Sequence, residues 1–295
     1  MASKSIRGII APLVTPFTSE GELDENLLEK EIRYLIRSGV DGISPGGSTG
    51  EGAAVTDEEL VRMVELIRSV DSKIPIVAGI IRNSTRAALA AAKAVQAAGA
   101  DALMVTPVSY NVLVPDEEGN YSFYEAISKA VNLPIVIYNV VPQNTISAGL
   151  FDRLLGIRNV MGIKQSCGGI SAFYEMKMTC GGKGKIFSAT DDMLYSTFEL
   201  GADGAISAIL TVFPKLCVEM WKSIRSGDRD HGLALQNRLY FVWKAIAGNQ
   251  FPIRIKYALR LLGREPGYPR GPIVHISGED KARIEKALKD EALIP

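Results

Sequence analysis

The chain has 295 residues, 33 basic and 33 acidic side chains, 47% hydrophobic and 22% charged residues, an ordinary globular composition. Zero formal net charge leaves no long-range field to gather nucleic acid or an anionic bilayer, and no apolar run approaches the roughly 20 residues that cross a membrane. The length fits two ordinary domains or one α/β barrel of about 250 residues with an addition.

In chain order, apolar strand-like runs at 8–15, 42–45, 75–80, 102–106, 134–139, 160–164, 185–188 and 204–208 alternate with amphipathic helical patterns. The helical patterns fall at 24–38, 56–70, 84–98, 121–131, 147–155, 170–179, 191–200 and 214–226. Runs such as Ile74-Pro75-Ile76-Val77-Ala78-Gly79-Ile80 are apolar throughout, as strands covered on both faces require, so the sheet is expected to be parallel. Asp24 and Thr56 suit helix N-caps, and Gly39, Gly99 and Gly201 follow helix ends. The fragments around Asp41, Asp101 and Asp203 repeat one helix-stop, turn and strand-start device. Eight such units predict an α/β fold of the (β/α)8 TIM-barrel type over 1–226. A doubly wound open sheet is the rival, and it lacks its dinucleotide fingerprint here. Helices alone, at 229–247, 252–262 and 279–292, then form a C-terminal extension over 227–295, expected to pack on the barrel.

Cys167, Cys180 and Cys217 make no C-x-x-C pair, and an odd count suits a reducing, cytoplasmic setting; the N-terminus lacks the apolar core of a signal peptide. His231 and His275 stand alone, which argues against a catalytic metal and leaves the chemistry without a histidine base.

In a barrel the working residues sit at the C-terminal ends of strands. Lys164 ends the sixth run and is either a nucleophilic amine or half of a stabilising ion pair. Tyr138 and Asn139 end the neighbouring fifth run; the phenol can relay protons near an amine or can simply pack. Gly46-Gly47-Ser48-Thr49-Gly50-Glu51-Gly52 follows the second strand and offers close backbone approach, hydroxyls and amides to a carboxylate, or is a glycine-rich turn with no ligand. It is not a P-loop. The glycine- and lysine-rich turn at 181–185 precedes a strand, on the face away from the mouth, and reads as a solvated turn.

Gly47-Ser48-Thr49-Gly50-Glu51, Tyr138-Asn139-Val140 and Gly162-Ile163-Lys164, in that order on an eightfold pattern, resemble the dihydrodipicolinate synthase / N-acetylneuraminate lyase family of class I aldolases. The likeness spans the chain, including Thr190-Asp191-Asp192 and Lys256-Tyr257-Ala258-Leu259. It implies a Schiff base between Lys164 and a 2-oxo acid such as pyruvate, with an aldehyde as the other reactant and no metal or organic cofactor. It also implies carboxylate binding by Gly47, Ser48 and Thr49, proton relay by Tyr138, a substrate contact at Ile206, and a homotetramer in which Tyr110 crosses a dimer interface. Synthases of this family commonly read Tyr-Asn-Val-Pro-x-Arg-Thr, whereas this chain reads Tyr138-Asn139-Val140-Val141-Pro142-Gln143-Asn144-Thr145. Asn144 stands where the arginine that grips the aldehyde's carboxylate is expected, so an acidic second substrate is disfavoured unless Arg82 supplies the grip. A sugar-acid aldolase or dehydratase is therefore preferred to a true dihydrodipicolinate synthase, and a non-catalytic carboxylate-sensing barrel is the alternative of another class.

Overall fold

A computed structural model describes residues 5–295. The eight strands are β1 (Gly8–Pro12), β2 (Gly42–Ser44), β3 (Val77–Ile80), β4 (Ala102–Val105), β5 (Ile135–Asn139), β6 (Val160–Gln165), β7 (Lys185–Ser188) and β8 (Gly204–Ala205). All pair in parallel in the order β2-β1-β8-β7-β6-β5-β4-β3, and a parallel bridge between Ile43 and Ile76 joins the two ends into a barrel. Around it run α1 (Glu25–Arg37), α2 (Asp57–Val70), α3 (Thr85–Ala97), α4 (Glu117–Ala130), α5 (Ala148–Leu154), α6 (Gly169–Cys180), α7 (Leu194–Glu199), a short α8 (Ile209–Val212) and α9 (Pro214–Ser226). The chain then continues into α10 (Arg229–Ile246), α11 (Phe251–Leu261) and α12 (Gly278–Asp290).

Local chemistry explains the boundaries. Asp24 caps α1 through the amide of Leu27, and Thr56 with Glu59 forms a capping box on α2. The helix expected at 121–131 begins four residues earlier, because Asp116 caps it through Gly119 and Glu117 and Glu118 sit at the positive end of its dipole. The acidic stretch before Tyr121 is thus the first turn of a helix rather than a loop.

The repeated aspartates do one job three times. Asp41 accepts the amide of Ile9 at 2.8 Å, Asp101 that of Ile76 at 2.9 Å and Asp203 that of Ile186 at 2.9 Å, each tying the start of one strand to its neighbour. The glycine two residues before Asp41, Asp101 and Asp203 adopts positive φ, which lets the helix end and the chain turn inward.

Two cores result. Ile10, Val77, Met104, Val136, Tyr138, Phe187 and Ile206 belong to the cluster that fills the barrel, and a larger cluster lies between strands and helices. The parallel register pairs Tyr138 with Lys164 and Lys164 with Phe187, so the phenol and the amine emerge side by side at the top of the inner core. The C-terminal helices cover the same end: α11 packs on the turn Ser48–Gly50 and α10 on the turn Asp191–Met193.

Candidate active site

A cavity of about 280 Å³ opens at the C-terminal ends of the strands, lined by Thr49, Tyr138, Lys164, Ser166, Asp191, Ile206 and Ser207, with Trp243 and Phe251 on its outer wall. Lys164 is only 5% exposed, and its Nζ stands 3.7 Å from the centroid of the Tyr138 ring. Among the described residues its ammonium has no carboxylate in ion-pair contact, so the alternative of a stabilising salt bridge finds no partner. Without a counter-ion in contact, its amino group can serve as a nucleophile toward a molecule in the cavity.

Tyr138 donates its phenol hydrogen to Ser48 Oγ at 3.0 Å, which links the end of β5 to the glycine-rich turn. That turn is a single 3-10 turn, Ser48–Gly50, closed by the amides of Gly50 and Gly52 on the Gly47 carbonyl. The amides of Ser48 and Thr49 have no acceptor among the described residues. Gly52 is sterically required here: a Cβ on it would lie 1.8 Å from the carbonyl oxygen of Gly46. Thr15 donates to the Gly50 carbonyl at 2.6 Å and holds the turn against β1.

Asp191 was legible in the sequence only as part of a family likeness, yet it is the one carboxylate lining the cavity among the described residues. One oxygen accepts the Ser207 hydroxyl and, at 2.7 Å, the amide of Ile209. Burial pushes its pKa up to about 6, against the lowering effect of those hydrogen bonds and of the nearby Lys164 charge. Ser166 also faces this space, and its hydroxyl is buried with no partner among the described residues. Ser166 shares the parity of Lys164, two residues earlier, a signal that the sequence carried; Trp243, Ala247 and Phe251 recur every four residues across the α10–α11 junction.

Other expected residues lie elsewhere. Asn144 is buried but does not line the cavity: its amide nitrogen donates to the Val108 carbonyl at 2.9 Å, and its oxygen accepts from Asn120 at 2.8 Å. Arg82 supplies no substitute grip, because its guanidinium is bound to Asp57 at 2.7 Å and to the carbonyls of Val55 and Ile81. Gly47 and Ser48 belong to the turn rather than to the cavity wall, while Thr49 and Ile206 line it. Tyr110 is 59% exposed on the loop before α4, next to exposed Val112 and Leu113, and away from Lys164's cavity in the single chain.

The arrangement matches a known architecture. The family model for the dihydrodipicolinate synthetase family matches residues 5–291. The chain belongs to that family. It is 34% identical over 293 residues to the 4-hydroxy-tetrahydrodipicolinate synthase of Bartonella bacilliformis, covering 98% of this chain and 99% of that protein. It superposes with a TM-score of 0.91 and 32% identity on the chloride-inhibited dihydrodipicolinate synthase of Acinetobacter baumannii complexed with pyruvate, covering 98% of this chain and all of that one. A structure of CdNal from Clostridium difficile in complex with mannosamine gives a TM-score of 0.88 at 26% identity, over 98% of this chain and 100% of that one. Family membership makes the protein an enzyme, a class I aldolase-type lyase that works through a Schiff base, as the sequence led one to expect. Among the described residues no group of three or more His, Cys, Asp or Glu side chains is placed to hold a metal ion.

Proposed function

We propose that the protein cleaves, forms or dehydrates a sugar-acid-like 2-oxo acid through an imine on Lys164, with pyruvate as the keto-acid fragment and a neutral, hydroxylated aldehyde as the other. The observation that carries this reading is the charge inventory of the cavity. Among its lining residues Lys164 is the only cation and Asp191 the only carboxylate; the other polar side-chain groups are the hydroxyls of Thr49, Tyr138, Ser166 and Ser207 and the indole N–H of Trp243. A second carboxylate on the aldehyde half would enter a partly enclosed space beside Asp191 with no guanidinium to meet it, whereas hydroxyl groups would find acceptors and donors.

The chemistry follows from position. The Lys164 amine adds to the C2 carbonyl; the carbinolamine loses water, and the phenol of Tyr138 delivers and collects the protons of these steps. The Ser48–Thr49 turn holds the carboxylate on its free amides and hydroxyls. In the cleavage direction the C4 hydroxyl loses its proton through Tyr138, the C3–C4 bond breaks, and its electron pair enters the iminium to give an enamine. Protonation at C3 and hydrolysis then release pyruvate and restore the amine. Asp191, Ser166 and Ser207 orient the hydroxyls of the departing aldehyde.

True dihydrodipicolinate synthase activity is the second reading, favoured by the names of the curated relatives. The reading extends to a cytoplasmic homotetramer, supported by three free thiols and by the apolar loop at Tyr110, Val112 and Leu113. Borohydride trapping with pyruvate should label Lys164 in peptide maps, and Lys164→Arg should abolish both label and turnover. A panel of 2-oxo acids should yield pyruvate from sugar-acid members. Efficient ring-product formation from pyruvate and aspartate semialdehyde would instead establish the second reading, and failure to label Lys164 would overturn the role given to that lysine.

A further inference from the structure

The C-terminal helices cover the mouth, and one buried ion pair connects them to the turn assigned to the substrate carboxylate. Lys256, in the middle of α11, is 0% exposed. Its Nζ donates to the carbonyl oxygens of Thr15 at 2.7 Å and Tyr268 at 2.6 Å, and lies 2.7 Å from Glu51 Oε1. The ammonium thus meets two carbonyl oxygens by hydrogen bonds and the Glu51 carboxylate as a buried ion pair. The other carboxylate oxygen of Glu51 accepts the backbone amide of Arg270 at 2.8 Å. Glu51 thus ends the turn Ser48–Gly50 with its side chain clamped from both sides by the segment that follows the barrel.

The backbone at Glu51 shows what the clamp does. Its φ of 57° is in the left-handed region, which an L residue with a side chain occupies at a cost, and its amide still closes on the Ser48 carbonyl at 3.1 Å. The conformation sits two residues after Thr49, at the end of the turn that carries the Ser48 and Thr49 groups. Thr15, whose carbonyl receives Lys256, sends its hydroxyl to the Gly50 carbonyl, so the C-terminal end of the turn is tied to the same ammonium twice, through Glu51 and through Thr15. Phe17 and Tyr268 bridge in antiparallel fashion beside it and bring the α11–α12 connection onto the top of β1.

We infer that Lys256 and Glu51 form a positioning pair for the 2-oxo-acid site: through their contact the C-terminal helices hold the carboxylate-binding turn in its binding-competent shape. The inference rests on the proposed function, since it assigns a purpose to the turn that the reading places against the substrate. Neither side chain touches substrate; both act through Ser48 and Thr49.

The test is borohydride trapping at Lys164 as a function of pyruvate concentration, with melting temperature measured alongside, on the full chain and on Glu51→Ala, Lys256→Met and the double variant. Glu51→Ala leaves Lys256 with two carbonyl acceptors and is the milder lesion, so it decides the matter if Lys256→Met does not fold. The expected result is a rise of tenfold or more in half-saturating pyruvate for Glu51→Ala, larger than any fall in the maximal labelling rate. The double variant should be no worse than the more severe single one, since both remove one contact. Lower melting temperatures with unchanged half-saturation, or additive effects in the double variant, would overturn the inference while leaving the proposed function intact. No label in the unmodified protein would remove the proposed function, and the positioning role with it.

Discussion

Tyr138→Phe isolates one atom. The ring stays beneath Lys164 Nζ, 3.7 Å away, and the inner core keeps its shape because the side chain is almost wholly buried. What disappears is the phenol oxygen and its 3.0 Å hydrogen bond to Ser48 Oγ. For folding this is the loss of one hydrogen bond between partly buried hydroxyls, about 1 kcal/mol, which in a chain of this size corresponds to a melting shift of about 2 °C. For catalysis the loss is larger, because positioned acid–base groups contribute about 10²- to 10⁴-fold, or about 3–5 kcal/mol of barrier at 1.36 kcal/mol per tenfold. The expected phenotype is a kcat lowered by at least about a hundredfold, with the Lys164 imine still forming, slowly, on long incubation. Steady-state pyruvate release and single-turnover borohydride trapping measure the two parts separately. A Phe variant whose kcat and trapping rate stay within about threefold of the parent, less than any positioned acid–base group contributes, would refute the assignment of Tyr138 as the relay.

Other expectations follow from the same contacts. Asp191 is protonated in both folded and unfolded chains below about pH 3; between its ordinary value of 3.8 and its folded value of about 6 the unfolded form ionises first, so its contribution to stability falls as pH rises through that window. Asp191→Asn keeps acceptors for Ser207 and Ile209 and should be more stable than the parent at pH 7.5 by up to about 3 kcal/mol, from about two pKa units at 1.36 kcal/mol each. The gain should shrink to below about 1 kcal/mol at pH 4 in urea unfolding, and turnover should fall at both values; a variant less stable than the parent at pH 7.5 contradicts the burial argument. Asn144→Arg should not restore use of aspartate semialdehyde, because position 144 points to Asn120 and Val108 rather than to the cavity. It should instead lose about 3–5 kcal/mol for an unpaired buried charge; ring-product formation by this variant would show the placement to be wrong. Gly52→Ala forces a Cβ to 1.8 Å from the Gly46 oxygen and should weaken pyruvate-dependent thermal protection at least tenfold in concentration, even where the chain still folds. Unaltered protection would separate the turn from the substrate.

Lys164, Tyr138 and Thr49 could be found from the sequence because strand ends, parity and chain order place them without knowledge of distant packing. Asn144, expected at the substrate, binds Asn120 and the Val108 carbonyl instead, and Tyr110, expected at a dimer interface, lies on an exposed loop; spacing along the chain records that a side chain is nearby and not which way it faces. Ser166 and Ser207 lie just past strand ends, where only a decision on strand length distinguishes inward from outward. Trp243 and Phe251 reach the cavity through helix-on-barrel docking, which no local pattern specifies. Lys256 is the clearest limit: flanked by Arg254 and Arg260 in one helix, it reads as another solvated cation, and only the closed fold shows it fully enclosed.

The three aspartates at the strand entrances have a further consequence. They align β1, β3 and β7 at the rim remote from Lys164, using contacts that no substrate reaches. Alignment of the frame and choice of reactant are thereby assigned to opposite rims of one cylinder, so that descendants of this chain can trade one reactant for another by rewriting loops while inheriting the foundation unchanged.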